Sequence, residues 1–368
     1  MGCGDPTFRW GTASIEVFST DAVHFVHHIL PFCEDGMTKP SLNRRDRGSL
    51  RSHNINNWNR FSLLSPLLFY NCCYDLAAGL MVVLAMSRKM QEKITIKCDL
   101  CGSEQHRLLF EKDGFRHVRC AVCGMVFVNP RLAEHLNIQT ISGTGCMGDN
   151  HISRSQQKRF QKELSTMEPF RRLNRIIEIG PGQGWFLIEA SRVGWDTLAV
   201  EINAQAVNFL KEHGIKQIIV QAAEDCGSKG DSVDVVRMWD VIEHLCSPRK
   251  ALANAYRMLR PGGLLKLATT NFASLSRWLN GPEWVYLNGS DHIFLFEPRT
   301  ITRLLEDVGF REIELRTRSF NMRRKLYHPE NELPVRFPLL IPFRKLIDAT
   351  VGLTGYGHQM IVTAVKPH

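Results

Sequence analysis

The segment that most restricts what this chain can fold into is Arg175-Ile-Ile-Glu178-Ile-Gly180-Pro-Gly182-Gln-Gly184-Trp-Phe-Leu. The apolar run Ile176–Ile179 predicts a buried strand, and Trp185–Val193 predicts a helix. The glycines between them let the chain turn sharply and bring its backbone close to a ligand. A strand, a glycine turn and a helix open a nucleotide site in an α/β sheet, but alone they do not say which nucleotide.

The elements that follow narrow the choice. Asp196–Glu201 predicts a second strand ending in a carboxylate, and Glu201 lies seventeen residues past Gly184, where an acid accepts hydrogen bonds from ribose hydroxyls. Gln217–Gln221 predicts a third strand, followed by a loop that contains Ala223 and Glu224. Ser232–Asp240 predicts a fourth, running through Trp239 into Val241-Ile-Glu243-His244. The turn Leu259-Arg-Pro-Gly-Gly263 leads into a fifth strand, Arg299–Gly309 reads as a helix, and Phe310–Ser319 and His358–Val365 read as the last two strands. Strand-like runs alternating with helix-length amphipathic segments predict an α/β fold, a parallel sheet with helices on both faces.

This order of elements resembles the class I, Rossmann-like S-adenosylmethionine-dependent methyltransferases from about Asn174 to Lys366. Glu178-x-Gly180-x-Gly182-x-Gly184 is similar to their first motif, with an acid where dehydrogenases lack one. Trp239-Asp-Val-Ile-Glu-His244-Leu resembles a signature of the ubiquinone-type and related small-molecule group. The resemblance implies a seven-stranded, mostly parallel sheet whose final strand inserts antiparallel between the fifth and sixth. It implies that Glu178 faces the methionine amine, Glu201 the ribose, and the Ala223–Glu224 loop the adenine, with Gly180, Gly182, Gly184 and Trp239 completing the cofactor site. An NAD-type dehydrogenase fits less well, because the Pro-Gly-Gly turn and the Glu-His pair belong to the methyltransferase pattern.

Upstream stand two knuckles, Cys98-Asp-Leu-Cys101-Gly102 and Cys120-Ala-Val-Cys123-Gly124, with eighteen residues between the inner cysteines. That spacing falls in the range for a tetrahedral four-cysteine zinc site with no open position, hence a structural one. Arg107–Phe110 and Phe115–Arg119 read as a hairpin between the knuckles, so 94–131 is expected to be a small zinc ribbon. The ribbon followed by Val128-Asn-Pro-Arg131 resembles a group of bacterial methyltransferases, though their tyrosines after Asn-Pro-Arg are replaced here by His135-Leu-Asn-Ile. Residues 132–173 read as a basic helical connector and 174–368 as the catalytic domain, with 321–357 as an insertion between its last two strands.

The first ninety residues read as a poorly ordered extension or the product of an upstream start, given Met86 and Met90 just before the ribbon. Phe61–Met86 is long enough to span a bilayer, but Pro66, Asn71 and Asp75 interrupt it, which argues against a span. Paired thiols without a secretory signal point to a reducing, cytoplasmic compartment. The net charge of +9 is concentrated locally: His151–Arg175 holds seven Lys/Arg against two acids, and Arg311–Lys325 six against two. Solvated faces explain such runs more simply than nucleic acid does.

For the chemistry, His244 and His292 stand where an acceptor-side base is needed, since a hydroxyl must lose a proton as it takes the methyl group. Asp240, Glu243 and His244 would share one face of a helix and offer a divalent-metal set, but capping and packing is the preferred reading. Residues 333–347 carry an apolar stripe that suggests a lid or a membrane-surface element. The expected function is methyl transfer from S-adenosylmethionine to a small-molecule or carbohydrate-type acceptor at oxygen, with structural zinc in the ribbon. An RNA methyltransferase gripping phosphates through ribbon and connector, and a noncatalytic zinc- and nucleotide-binding module, are the alternatives.

Overall fold

The computed structural model describes residues 92–134, 136, 138, 151–227, 229–320, 324–325, 332–333 and 343–368. The N-terminal extension, the Phe61–Met86 run, His135 and most of 321–342 lie outside the described residues. Among the described residues, no helix is long and apolar enough to cross a membrane.

Five strands come first: β1 (Lys93–Ile94), β2 (His106–Lys112), β3 (Phe115–Cys120), β4 (Val126–Val128) and β5 (Arg131–Leu132). Helix α1 (Arg154–Ser165) opens on a capping box in which the Ser153 side chain and Gln156 satisfy each other's backbone amides. The remaining strands are β6 (Arg175–Ile179), β7 (Asp196–Val200), β8 (Gln217–Ile219), β9 (Val233–Trp239), β10 (Leu259–Thr270), β11 (Phe294–Leu295), β12 (Arg311–Arg318), β13 (Arg324–Lys325), β14 (Glu332–Leu333) and β15 (Gln359–Val365). Between them run α2 (Trp185–Arg192), α3 (Ala204–Glu212), α4 (Pro248–Met258), α5 (Leu275–Asn280), α6 (Pro298–Val308) and α7 (Arg344–Thr354). Both α4 and α6 carry Pro in the first turn, where a missing N–H costs nothing.

Seven strands form one sheet in the order β12-β15-β10-β9-β6-β7-β8. Strands β10, β9, β6, β7 and β8 pair in parallel, while β15 runs antiparallel between β10 and β12. This is the expected α/β architecture, including the inserted last strand. The central strands are buried on both faces because helices cover both: Ile176, Ile177, Val235, Val236 and Leu265 are fully buried. The parallel order brings the carboxyl ends of β6, β7 and β9 side by side, which is where such sheets bind ligands.

The ribbon is joined to this sheet rather than tethered to it. Strand β11, which follows the fifth sheet strand by some twenty residues of chain, pairs with β4 and completes a four-stranded sheet in the order β11-β4-β3-β2. Cys98, Leu100, Val118, Met125 and Phe127 share one buried core with Ile177, Met238, Leu265 and Phe296. So small a sheet could not bury Phe127 completely by itself; residues of the seven-stranded sheet and its helices supply the other wall.

Candidate functional site

The glycine turn after β6 forms because its backbone occupies a region closed to most side chains. Gly180, Gly182 and Gly184 have φ of +64°, +55° and +64°. A Cβ on Gly180 would lie 2.6 Å from Val241 Cγ2, and one on Gly184 would lie 2.1 Å from Leu210 Cδ2. The turn borders a cavity of about 240 Å3 at the carboxyl edge of the sheet, lined by Ile179, Gly180, Gly182, Val200, Glu201 to Asn203, Gln221 to Glu224, Asp240, Val241, His244 to Cys246 and Asp291.

Glu201 ties two loops of the cavity together. Its Oε2 accepts from the Gly182 amide at 3.0 Å, and Oε1 accepts from the amides of Ile202 and Asn203 at 2.8 and 2.9 Å. Oε1 is thereby fully used, while Oε2 keeps one lone pair. Ala223 lines the wall, and the buried Glu224 accepts from the amides of Cys246 and Ser247 at 2.7 and 3.3 Å. Burial raises the Glu224 carboxyl above its usual range, against the pull of those amides.

Glu178 and Trp239, like Gly184, lie just outside the lining of this cavity. Glu178 pairs in register with Arg237 across β6 and β9, and period-two alternation puts Glu178, Arg237 and Trp239 on the sheet face that carries α1. There Arg237 bridges Glu178 and Glu163 and lies between the rings of Phe186 and Trp239, at 4.1 and 4.4 Å from their centres. Burial pushes the Glu178 carboxyl up to about 7 despite Arg237, and its buried Oε2 has no hydrogen-bond partner among the described residues.

The two histidines meet. Their ring centres are 4.6 Å apart, edge to face. His244 lines the cavity and holds Asp291 at 2.7 Å. Burial alone would lower its pKa, but the Asp291 hydrogen bond and the Glu243 and Asp291 charges outweigh it and raise it to about 9. His292 stands behind, stacked on Tyr286 at 5.7 Å, and does not line the cavity. Burial and the neighbouring His244 charge pull its pKa down to about 3, so it is neutral at pH 7. Asp291 was not singled out from the sequence; only the folded loop turns its carboxylate onto His244.

The shared helical face of Asp240, Glu243 and His244 does not form. Asp240 has φ of +52°, and only Ile242–His244 makes a short 3-10 turn. Asp240 instead accepts from Gln359 Nε2 at 3.0 Å. Glu243, fully buried, accepts from Thr269 and groups with His244 and His292, one ligand atom of each lying within 4.8 Å of the others.

In the ribbon, one sulfur each of Cys98, Cys101, Cys120 and Cys123 lies within 4.8 Å of the rest, with Cys98–Cys123 and Cys101–Cys120 at 3.5 Å. A tetrahedral zinc with bonds of roughly 2.3 Å needs sulfurs about 3.8 Å apart, so these four thiols fit one.

A methyltransferase-domain model matches residues 152–315, which contain the glycine turn, the Glu201 loop and the His244–Asp291 pair. The protein is an S-adenosylmethionine-dependent methyltransferase. The ubiquinone biosynthesis O-methyltransferase of Cereibacter sphaeroides is 25% identical over 183 residues, covering 47% of this chain and 74% of that protein. The protein of the same name from Mesorhizobium japonicum is 25% identical over 193 residues, covering 50% and 77%. A solved S-adenosylmethionine-dependent methyltransferase from Archaeoglobus fulgidus is 21% identical with a TM-score of 0.41, covering 57% of this chain and 94% of that one.

Proposed function

We propose that the methyltransferase binds S-adenosylmethionine in the cavity beside the glycine turn and methylates a hydroxyl of a small organic molecule. The observation that carries this is the charge of the cavity. Glu201, Glu224, Asp240 and Asp291 line it, and no Lys or Arg does among the described residues. Four carboxylates against the one imidazolium of His244, which pairs with Asp291, leave an excess of negative charge that favours a cationic ligand and disfavours phosphates. When bound, S-adenosylmethionine supplies a methyl group on a positively charged sulfur.

In this reading Gly180 and Gly182 let the backbone approach the ligand, Glu201 accepts from a ribose hydroxyl, and Ala223 forms the flat wall for the base. His244, oriented by Asp291, takes the acceptor proton. A pKa of about 9 makes it a stronger base than ordinary imidazole. His292 is a positioning residue that packs against His244. Similarity to proteins named as ubiquinone biosynthesis O-methyltransferases supports oxygen as the acceptor atom. Zinc in the Cys98, Cys101, Cys120 and Cys123 set is proposed as structural: a closed thiolate shell would hold the ribbon and leave no position for substrate.

Calorimetric titration with S-adenosylhomocysteine, followed by incubation with methyl-labelled S-adenosylmethionine and fractionated cell extract, tests the reading. Micromolar binding and label in an alkali-stable small molecule are expected. Label confined to RNase-sensitive material would replace the small-molecule acceptor with RNA.

A further inference from the structure

The cavity wall at Leu245–Cys246 belongs to no regular element; it joins the 3-10 turn at Ile242–His244 to α4. Such a segment stays in place only if its polar groups are held from outside. Three groups hold it. Glu224 accepts from the Cys246 and Ser247 amides from the cavity side. Arg131, the last residue of the ribbon, donates toward the Cys246 carbonyl at 3.5 Å and Sγ at 3.3 Å. The third hold comes from inside the first cysteine knuckle: Asp99 Oδ1 accepts from Ser247 Oγ at 2.8 Å, and Oδ2 accepts from the Arg249 amide at 2.8 Å. Arg249 returns its guanidinium to the carbonyls of Asp99 and Leu100.

We propose that the ribbon is the outer support of the cofactor cavity, and that Asp99 is the positioning residue through which it acts. This rests on the cofactor reading given above. Asp99 stands between Cys98 and Cys101, so the knuckle's turn fixes where its carboxylate points. That carboxylate meets a free amide in the first turn of α4, where negative charge is also favoured by the helix dipole. The same contact sets the start of α4 and, through Ser247, the position of Leu245 and Cys246 against the ligand. A ribbon serving only to grip the acceptor would have no use for this grasp on the cofactor side.

The experiment uses the full chain carrying Asp99→Ala, Asp99→Asn or Arg249→Ala. Bound metal is counted, and affinities for S-adenosylhomocysteine and 5′-methylthioadenosine are measured by calorimetry. Asp99→Ala should keep the parent's metal content and weaken both ligands by the same factor, roughly tenfold. Equal loss places the defect at the nucleoside end, because methylthioadenosine lacks the amino-acid end. Asp99→Asn should recover most of the affinity, since its amide oxygen can accept from Arg249 while its NH2 donates to Ser247. Arg249→Ala reaches the contact from the helix side and should weaken both ligands even if Asp99→Ala folds poorly. Unchanged affinity in metal-replete Asp99→Ala, or a loss seen with homocysteine-bearing ligand alone, overturns the proposal. Failure of the parent protein to bind either ligand would instead remove the cofactor reading beneath it.

Discussion

Replacing Glu201 is the most direct way to probe the cavity. In the folded chain its carboxylate accepts three amide hydrogens, from Gly182, Ile202 and Asn203. The proposed ribose contact adds a bond to the charged Oε2, worth about 3 kcal/mol at the high end of the range. About 3 kcal/mol corresponds to roughly a hundredfold in Kd. Glu201→Ala also releases the Gly182 and Ile202–Asn203 loops from each other, which adds to the loss and lowers Tm. Glu201→Gln separates the two effects: its single oxygen still accepts amides, but its NH2 faces another donor and the charge is gone. The expected result by calorimetry with S-adenosylhomocysteine is a loss of roughly a hundredfold or more for Ala and about tenfold for Gln. Folded Glu201→Ala that binds within about threefold of the parent would show that this carboxylate touches loops and not ligand.

Four further outcomes follow from the geometry. The rate of methyl transfer should rise with pH toward about 9, because only neutral His244 can take a proton; Asp291→Asn should shift that midpoint toward ordinary imidazole, seen in the pH profile of kcat. The same raised pKa means that the His244–Asp291 pair adds stability below the unfolded value of about 6.5, lost as pH climbs through about 9. Asp234, fully buried, accepts from the amides of Arg172, Leu173 and Arg175 and from Arg260; Asp234→Asn would set an NH2 against those donors and cost about 2–3 kcal/mol in a denaturant melt. Stripping metal with a chelator should lower Tm by roughly 5–10 °C, since Cys98, Leu100 and Cys120 belong to the shared core, and readdition of zinc should restore it.

Much of this protein is written locally. The glycine turn, the carboxylate ending the second catalytic strand and the Cys-x-x-Cys pairs could be read because each is fixed by neighbours in sequence: left-handed backbone needs glycine, and two thiolates three residues apart can face one ion. Strand and helix alternation likewise pointed to the parallel sheet, and the resemblance to class I methyltransferases implied the seven-stranded arrangement with β15 between β10 and β12.

What lay beyond that reading depends on residues far apart in the chain. Glu178 meets Arg237, 59 positions away, and its motif alone could not say which sheet face would carry it. His244 becomes a strong base through Asp291, 47 positions on, and Asp240 leaves its expected partners because the backbone there turns left-handed. The same holds for the ribbon: the spacing of Cys98 to Cys123 brings four thiols together, but Asp99 reaches Arg249 across 150 positions. Sequence spacing determines which groups can share one turn or one ion. Which carboxylate meets which cation, and at what pKa, is decided only when packing removes water from between distant segments.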